Sequence, residues 1–599
     1  MGTEKHALER QIQELNKKVH QLSKRVMQLE RNFAESVTVK SSQANRQPNK
    51  EDVLSNEATL LVGSSSLLQH ISAICFLLVA ALGLRALTDN GLLNLQIGTA
   101  LGLGYAAALI FAGHLLYNKN KSMAPIFTTT GGLLMFSVLV ETYTRFESLP
   151  DELVYIMLAI TGIVMAVISY INKAALPIIV GTLGMCVAAV SIDYPNPYFP
   201  YLGLLLWISN LLGFFATRLK RCSWLRWLLL FMTHFMLQIW GLKLSGLLSR
   251  GDVAKHLAPD WFIPIITLIG ATFMLISLFG IIRSGDEKIS KFDFSLPVIN
   301  AGWCYVAGIY ALKNPALFGA PAAAAAIIHF AIAFRLSERQ RHNAPGTNTF
   351  IASGIILAGL SLPAIFGDML LPLPILAILA FITCYYSKKW ASGGMRITSY
   401  LLQTYISLIL AIELIGTGTQ QPITDITIAT LCSLITLYHY QYCRKHKPPE
   451  HSRAFKRFDK YDQGALLPLF AGLTNGFFMA KTITHHFLYI YYQGNPMTAS
   501  MGTQSIIINC CAILLIFLAT SLHNKELRNT AILVMIIGGS KVFVIDMFRI
   551  SGTWLVAGIF AFGIAAALQS LVLARWKTEN NDQQRSKTAS NELKIEIDR

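Results

Sequence analysis

The chain has 599 residues, of which 53% are hydrophobic and only 14% are charged. This composition excludes an ordinary soluble globular protein. The net charge of +17 does not indicate a nucleic-acid-binding protein, because the basic residues fall in short connectors between apolar runs, where topology and attraction to anionic lipid account for them.

The N-terminal segment carries a heptad pattern that predicts a coiled-coil helix over residues 1–34. Its a positions are Ile12, Val19 and Val26, and its d positions are Leu8, Leu15, Leu22 and Leu29. β-Branched residues at a with Leu at d favour a parallel two-stranded coiled coil, so we expect a homodimer or a partner bound through this arm. A single amphipathic helix lying on the protein or membrane is the alternative. Residues 35–65, rich in Ser, Gln, Asn and Lys, are expected to be a flexible linker.

Apolar stretches of about twenty residues then follow one another from Leu68 to Arg575. A helix of that length crosses a hydrocarbon core of about 30 Å, and a span must be helical because lipid offers no partner for free backbone N–H and C=O groups. We therefore predict an all-α polytopic membrane domain over residues 66–576. Its roughly eighteen transmembrane helices are expected at 68–88, 94–117, 123–145, 152–171, 174–192, 199–218, 224–245, 261–283, 294–312, 317–335, 349–367, 370–387, 396–416, 423–442, 463–481, 503–522, 529–548 and 552–575.

The connectors between these spans alternate in charge. Even-numbered connectors are basic, as at Lys119 and Lys121 or Lys388 and Lys389, whereas odd-numbered ones carry acids such as Asp193. Because Lys and Arg accumulate in cytoplasmic loops, this alternation predicts an even number of spans with both termini in the cytoplasm. The polar residues 577–599 are then expected to be a disordered cytoplasmic tail.

Two stretches that end at Glu141 and Asp193 have the same pattern. In each, a span meets an Asn-Lys turn, then a Pro-Ile step early in the returning helix, then glycines, then an acid. Proline is tolerated in the first turn of a helix, and small residues allow helices to approach closely. We expect repeated helical hairpins, an arrangement common among transporters that also arises by duplication in a scaffold.

The run of spans, the N-terminal heptads, the DNGLL segment after the first span and the closing KVFVIDMFRISGTWLVAG segment together resemble a known family. It is an uncharacterised bacterial family of predicted multi-pass inner-membrane proteins, defined only as a domain of unknown function. The resemblance extends from about residue 65 to 575, and its most specific piece is the KVFVID sequence from Lys541 to Asp546. It implies a bacterial inner-membrane protein and supplies no activity or catalytic residues.

Ionisable side chains inside spans collect toward their predicted outer ends. An ionisable group at such depth costs a few kcal/mol and usually faces protein or a wet cavity. The candidates for a polar cavity open to the periplasm, or for ion pairs that lock helices together, are Arg85, Asp89, Glu141, Arg145, Glu413, Lys481, Lys541 and Asp546.

Among these candidates, Lys541 allows the most specific prediction. Asp546 follows it by five residues, whereas neighbours on an α-helix are three or four apart, so we expect a carboxylate from another helix to pair with Lys541. Glu141 and Glu413 are candidates by depth. Asp546 itself is expected near the outer surface, solvated by water.

The sequence lacks the common catalytic and nucleotide-binding motifs of soluble enzymes. There is no HExxH and no GxSxG, and the GGSK run ending at Lys541 lacks the spacing of a phosphate loop. The nine cysteines show no CxxC pair and no metal-ligand spacing along the chain, so neither a cofactor nor a metal is predicted.

Three functions remain compatible with this pattern. The leading hypothesis is a transporter or flippase-like protein that handles an envelope-associated substrate through an outward-facing polar cavity. The second is a membrane-embedded enzyme that modifies a lipid-linked or periplasmic glycan, with outer acids as a base. The third is a membrane scaffold that assembles partners through its coiled coil.

The charge alternation predicts that reporters fused after Lys121 and after Asp193 lie on opposite sides of the membrane. An alkaline phosphatase fusion should be inactive at the first position and active at the second, because the enzyme matures only in the periplasm. Activity at both positions would contradict the predicted topology.

Overall fold

A computed structural model describes the chain between residues 77 and 574. The residues in this interval that it does not describe are 78, 89, 120–122, 147–148, 194–197, 217–222, 253–256, 258, 285–288, 312–314, 340–344, 416–421, 450–454, 456–458, 460 and 551. The predicted coiled coil, linker and tail, and also Asp89, lie outside the described residues.

The described residues form eighteen helices of ten residues or more. They are α1 (Val79–Thr88), α2 (Leu95–Leu116), α3 (Ala124–Glu141), α4 (Asp151–Asn172), α5 (Ala175–Asp193), α6 (Phe199–Ala216), α7 (Ser223–Arg250), α8 (Pro259–Ser284), α9 (Lys291–Ile309), α10 (Pro315–Arg339), α11 (Pro345–Phe366), α12 (Leu373–Lys389), α13 (Gly393–Ile415), α14 (Pro422–Lys445), α15 (Leu466–Tyr491), α16 (Pro496–Ser521), α17 (Lys525–Ser540) and α18 (Thr553–Ala574). Short π-helical segments follow α3 at Thr142–Phe146 and α17 at Lys541–Asp546, and a 3₁₀ turn at Gln463–Ala465 precedes α15.

Each predicted span overlaps one of these helices, and the first span, 68–88, is described only in its second half. Fourteen helices of the described chain are long and apolar enough to cross a membrane, which makes the protein an all-α polytopic membrane protein. The others are α1, which begins at the limit of the described residues, α12, which has 17 residues, and the more polar α9 and α14. Among helix ends that lie well within the described residues, the largest boundary difference is in α15, which continues to Tyr491 beyond the predicted end at residue 481.

Two pairs of predicted spans, α4/α5 and α11/α12, are joined by the shortest connectors. In each pair the two spans form two separate helices. Between α4 and α5 the chain reverses at Lys173, whose φ of 52° is left-handed and ends α4. Between α11 and α12 it reverses after Gly367, with a φ of 66°. A left-handed residue after the last helical turn is a common way to end a helix.

The described part of the chain divides into two compact units, one ending at Gly184 and the other beginning at Met185, with the boundary inside α5. In the first unit, α2 and α3 form a hairpin whose backbones approach closely. A Cβ atom on Gly131 would lie 2.8 Å from the Ile110 nitrogen and 2.9 Å from the Ala106 oxygen, so only glycine fits there. Small residues have this role in membrane helices because lipid tails compete for apolar contact and close packing decides association.

The second unit is also built from hairpins of consecutive helices. The pairs α8/α9, α10/α11, α12/α13 and α16/α17 pack against each other, and α14 packs against α15. One apolar core receives buried side chains from every helix between α8 and α15, including Phe350 and Leu410. The large side chains that point away from this core, such as Ile412, are apolar and exposed, as expected for contact with lipid.

Many buried hydroxyl groups bond within their own helices. Thr182 donates to the Ile178 carbonyl at 2.7 Å, and Ser353 donates to the Thr349 carbonyl at 2.8 Å. A bond to the carbonyl four residues earlier lets Ser and Thr lie inside a span without leaving an unpaired polar group in hydrocarbon.

The close approach of α2 and α3 predicts opposite effects for two glycine substitutions. Gly131→Ala should lower the free energy of unfolding by about 1–3 kcal/mol, because the new methyl group overlaps backbone atoms of α2. Gly104→Ala is the matched control, since a Cβ atom there meets nothing within 4 Å and alanine favours the helix. Thermal unfolding in detergent measures both, and equal midpoints would contradict the packing of this hairpin.

Candidate functional site

Arg85 and Glu141 come together at the predicted outer end of the first unit. The Arg85 Nη2 atom lies 2.5 Å from the Glu141 Oε1 atom, where α1 ends beside the last residue of α3. The pair lines a cleft of about 50 Å³ together with Thr88, Thr99 and Thr142. A water molecule needs about 10–15 Å³, so the cleft admits a few waters and no larger solute in this conformation.

Arg145 lies in the π-helical segment that follows α3, and its side chain is exposed. This segment begins directly after Glu141, where Thr142 donates to the Val138 carbonyl at 2.6 Å. π-Helical turns are rare and frequently mark functional sites. The outer end of α3 therefore combines a charged pair with an irregular backbone.

Lys541 pairs with Asp546 in the second π-helical segment. The Lys541 Nζ atom lies 2.8 and 3.1 Å from the two carboxylate oxygens, and it also donates to the Ser505 hydroxyl at 2.7 Å and the Met501 carbonyl at 3.0 Å. Ser505 donates to the same carboxylate. Because a π-helix bonds residues five apart, it brings the two ends of KVFVID onto one side of the helix.

The predicted partner for Lys541 is therefore wrong. Its carboxylate partner belongs to its own helix, and the neighbouring α16 contributes only neutral groups. Glu413 is exposed and Glu141 is engaged with Arg85. Asp546 is 2% exposed, so the expectation that water solvates it is wrong as well.

Lys481 is buried in α15 and binds the end of another helix. Its Nζ atom donates to the carbonyls of Leu414 at 2.7 Å and Ile415 at 3.0 Å, the last residues of α13. Terminal carbonyls of a helix have no partner in their own helix and carry partial negative charge, so an ammonium group suits them. Lys481 thus fixes α15 against α13 without an acidic side chain.

A buried network surrounds Arg396, the first residue of the predicted span 396–416, and the sequence did not predict it. Arg396 is 1% exposed, and its Nη2 atom lies 2.5 Å from an Asp462 carboxylate oxygen. Its Nε atom lies 2.6 Å from the Tyr400 hydroxyl, which donates to the same carboxylate at 3.0 Å. Nη2 also donates to the carbonyls of Cys443 and His446, both at 2.9 Å. The network fastens the segment before α15 to α13 and α14.

Asp462 is held in this network by its backbone as well as by its charge. Its φ of 54° is left-handed, a conformation that Asp tolerates better than most residues. Burial raises the pKa of the Asp462 carboxyl above its ordinary value, and the charge of Arg396 opposes that rise. The spacing of Arg396 and Tyr400 by one helical turn is the only local signal for the site, since Asp462 is 66 residues away from Arg396.

Three further side chains of metal-ligand type converge beside this network. Cys384 on α12 and His439 and Cys443 on α14 are all buried, and their ligand atoms lie within 4.8 Å of one another. The two sulfur atoms are 3.5 Å apart. The cysteines are not spaced along the sequence as metal ligands usually are. The packing of α12 against α14 brings the three side chains together.

An apolar groove lies on the first unit. It has a volume of about 500 Å³ and is lined by side chains from α2, α3 and α4, including Phe111, Val164 and Val167. His114 lines the groove, and its Nδ1 atom lies 3.3 Å from the Asn172 amide nitrogen. Since His114 and Asn172 lie near the same ends of α2 and α4, the groove combines a long apolar wall with a polar pair at one end.

The family model described as "Predicted membrane protein (DUF2339)" matches residues 65–419 and 411–575, so the chain belongs to this family. The match agrees with the resemblance noted from the spans and the KVFVID segment. No curated protein and no solved structure matches the chain.

The local pairing of Lys541 predicts which second substitution rescues its loss. Lys541→Met should lower the free energy of unfolding by about 3–5 kcal/mol, because it leaves a buried carboxylate without its cation. Adding Asp546→Asn should recover part of that loss, whereas adding the control Glu413→Gln should recover nothing. Unfolding midpoints of the single and double variants in detergent measure both effects. Rescue by Glu413→Gln and not by Asp546→Asn would contradict the pairing.

Proposed function

We propose that the chain is a transporter or flippase-like protein that handles an amphipathic, envelope-associated substrate. The observation that carries this proposal is the apolar groove of the first unit. Its volume of about 500 Å³ falls in the range of small-molecule sites, roughly 300–1,000 Å³. A scaffold needs no such groove, so its presence supports a function that involves a ligand.

The chemistry of the groove suits the chain of a lipid. Phe111 is 63% exposed and Val167 is 50% exposed at its wall, so the groove opens on a surface that faces acyl chains in a bilayer. The polar pair of His114 and Asn172 at one end suits the head of an amphipathic molecule, since each offers hydrogen bonds. A lipid-like substrate would enter from the membrane without leaving apolar surroundings.

The Arg85–Glu141 cleft is the proposed outward-facing polar cavity in a closed form. The cleft is too small for a polar headgroup as it stands, and the ion pair holds α1 against α3. Separation of this pair would widen the outer end of the same helical unit that carries the groove. An alternating-access cycle requires this kind of gated opening on one side.

The two alternative functions have weaker support. For an enzyme, two of the candidate acids at the outer rim are occupied, because Glu141 pairs with Arg85 and the buried Asp546 pairs with Lys541. For a scaffold, the argument rests on the heptads of residues 1–34, which lie outside the described part of the chain. These heptads also fit a dimerising arm on a transporter.

The alternation of connector charge supports an orientation with both termini in the cytoplasm, and the resemblance to a family of bacterial inner-membrane proteins supports a location in that membrane. In that orientation, Arg85 and Lys541 lie toward the periplasm and Arg396 toward the cytoplasm. The basic cytoplasmic connectors would then contact anionic lipid headgroups, at about 1 kcal/mol for each Lys or Arg near the surface.

The proposal predicts that filling the groove slows lipid movement. The protein in liposomes of phosphatidylethanolamine and phosphatidylglycerol should accelerate the transfer between leaflets of a fluorescent phosphatidylglycerol, measured by chemical quenching of the outer leaflet. Val164→Trp should slow this transfer several-fold because the indole occupies the groove.

Ile156→Trp is the matched control, since Ile156 lies on the same helix, is 53% exposed and does not line the groove. It should leave the rate unchanged. Equal rates for the wild type, both variants and protein-free liposomes would contradict a lipid substrate, and equal slowing by both variants would contradict the role of the groove.

A further inference from the structure

We propose that Cys384, His439 and Cys443 form a binding site for a thiophilic d¹⁰ cation, Zn²⁺ or Cu⁺. Two thiolates and an imidazole are a ligand set that such ions prefer over hard cations. The site is independent of the lipid groove and of the transport proposal, because it lies in the second unit and is built from other helices.

The spacing of the ligand atoms fits a metal ion, and both cysteines are free thiols. Zinc–sulfur bonds of about 2.3 Å at a tetrahedral angle put the two sulfur atoms about 3.8 Å apart. The Cys384 and Cys443 sulfur atoms are 3.5 Å apart, whereas a disulfide needs about 2.05 Å. The histidine nitrogen also lies within 4.8 Å of both sulfur atoms, so one ion at the centre reaches all three with small side-chain movements.

The helices prearrange the ligands. His439 and Cys443 are four residues apart on α14 and therefore lie on one face of that helix. Cys384 faces them from α12, which packs against α14. Ligands on rigid helices lose little freedom when they bind, which favours affinity. Three protein ligands leave a fourth position of a tetrahedral ion for an exogenous ligand.

Gln403 supplies the support that metal-bound histidines usually have once its side-chain amide is rotated. The His439 Nδ1 atom lies 3.2 Å from the Gln403 amide nitrogen, and the His439 Nε2 atom lies 3.4 Å from the Ser399 hydroxyl. Binding through Nε2 leaves the proton on Nδ1, and rotation of the Gln403 amide then turns its oxygen to that N–H. The rotation turns the amide nitrogen toward the Thr436 hydroxyl, at the expense of its bond to the Ala377 carbonyl.

Charge balance explains how a buried ion is tolerated here. Arg396 and Asp462 form a neutral pair, and the Arg396 guanidinium donates to the Cys443 carbonyl at the edge of the site. Zn²⁺ with two thiolates adds no net charge to the interior, and Cu⁺ leaves a single negative charge near the guanidinium. The zinc form, which has no net charge, therefore avoids the large cost of an uncompensated ion.

The first test measures the metal content of the full-length protein. The protein is purified in detergent with a tag that contains no histidine, and zinc and copper are measured by mass spectrometry. We expect about one ion per chain in the wild type. Cys384→Ser and Cys443→Ser should each lose at least nine-tenths of it. Cys432→Ser is the matched control, a fully buried cysteine on α14 outside the cluster, and should retain the metal.

A second measurement on the wild type does not depend on how well the variants fold. Co²⁺ added to chelator-treated protein should give a thiolate-to-cobalt charge-transfer absorption, and Zn²⁺ or Cu⁺ should abolish it. Absence of this absorption together with absence of bound zinc and copper would overturn the proposal. So would a Cys384–Cys443 disulfide in the peptide mass spectrum, or equal metal content in all three serine variants.

Discussion

The lack of hydrogen-bonding partners in the lipid core constrains every polar group of this protein. A backbone or side-chain group that loses water in the membrane must find its partner inside the protein, or the span costs several kcal/mol. Lys541 illustrates the rule, because its ammonium contacts a carboxylate, a hydroxyl and a backbone carbonyl. Lys481 satisfies the same requirement with two terminal carbonyls of a helix and no acid.

Irregular backbone occurs beside the charged side chains that need a partner inside the protein. The π-helical segments Thr142–Phe146 and Lys541–Asp546 each lie next to a charged pair at a predicted outer end. The left-handed Asp462 lies at the buried pair with Arg396. A regular α-helix fixes side-chain directions at 100° intervals, so a change of helix type or an αL residue is the means by which a charge can be redirected to its partner.

The polar groups of the two units are arranged for different purposes. In the second unit, the Arg396 and Lys541 networks tie helices together through contacts that are largely buried, so they stabilise one conformation. In the first unit, Arg85 is 43% exposed and closes a small cleft, and the same unit carries the wide apolar groove. A pair accessible to water separates at lower cost than a buried one, which is why the proposed movement is assigned to the first unit.

The sequence by itself determined the class of the protein and the positions of its helices. Within the described residues each predicted span is helical, including the closely connected pairs, because hydropathy acts on one segment at a time and the membrane requires that segment to be helical. The clustering of charged residues toward one end of the spans was also readable, since it depends only on position along each helix. The partners of those charged residues could not be predicted from the sequence.

Only the tertiary structure decided the pairing. Lys541 and Asp546 are five residues apart, a spacing that does not bring two side chains together on an α-helix. The sequence around them did not predict the π-helical turn that joins them. Arg396 meets Asp462 across 66 residues, and Cys384 meets Cys443 across 59, through the packing of α12, α13 and α14. Such contacts depend on which helices pack against each other when they are distant in sequence. A single sequence shows the hydropathy of each segment but does not show which segments pack together.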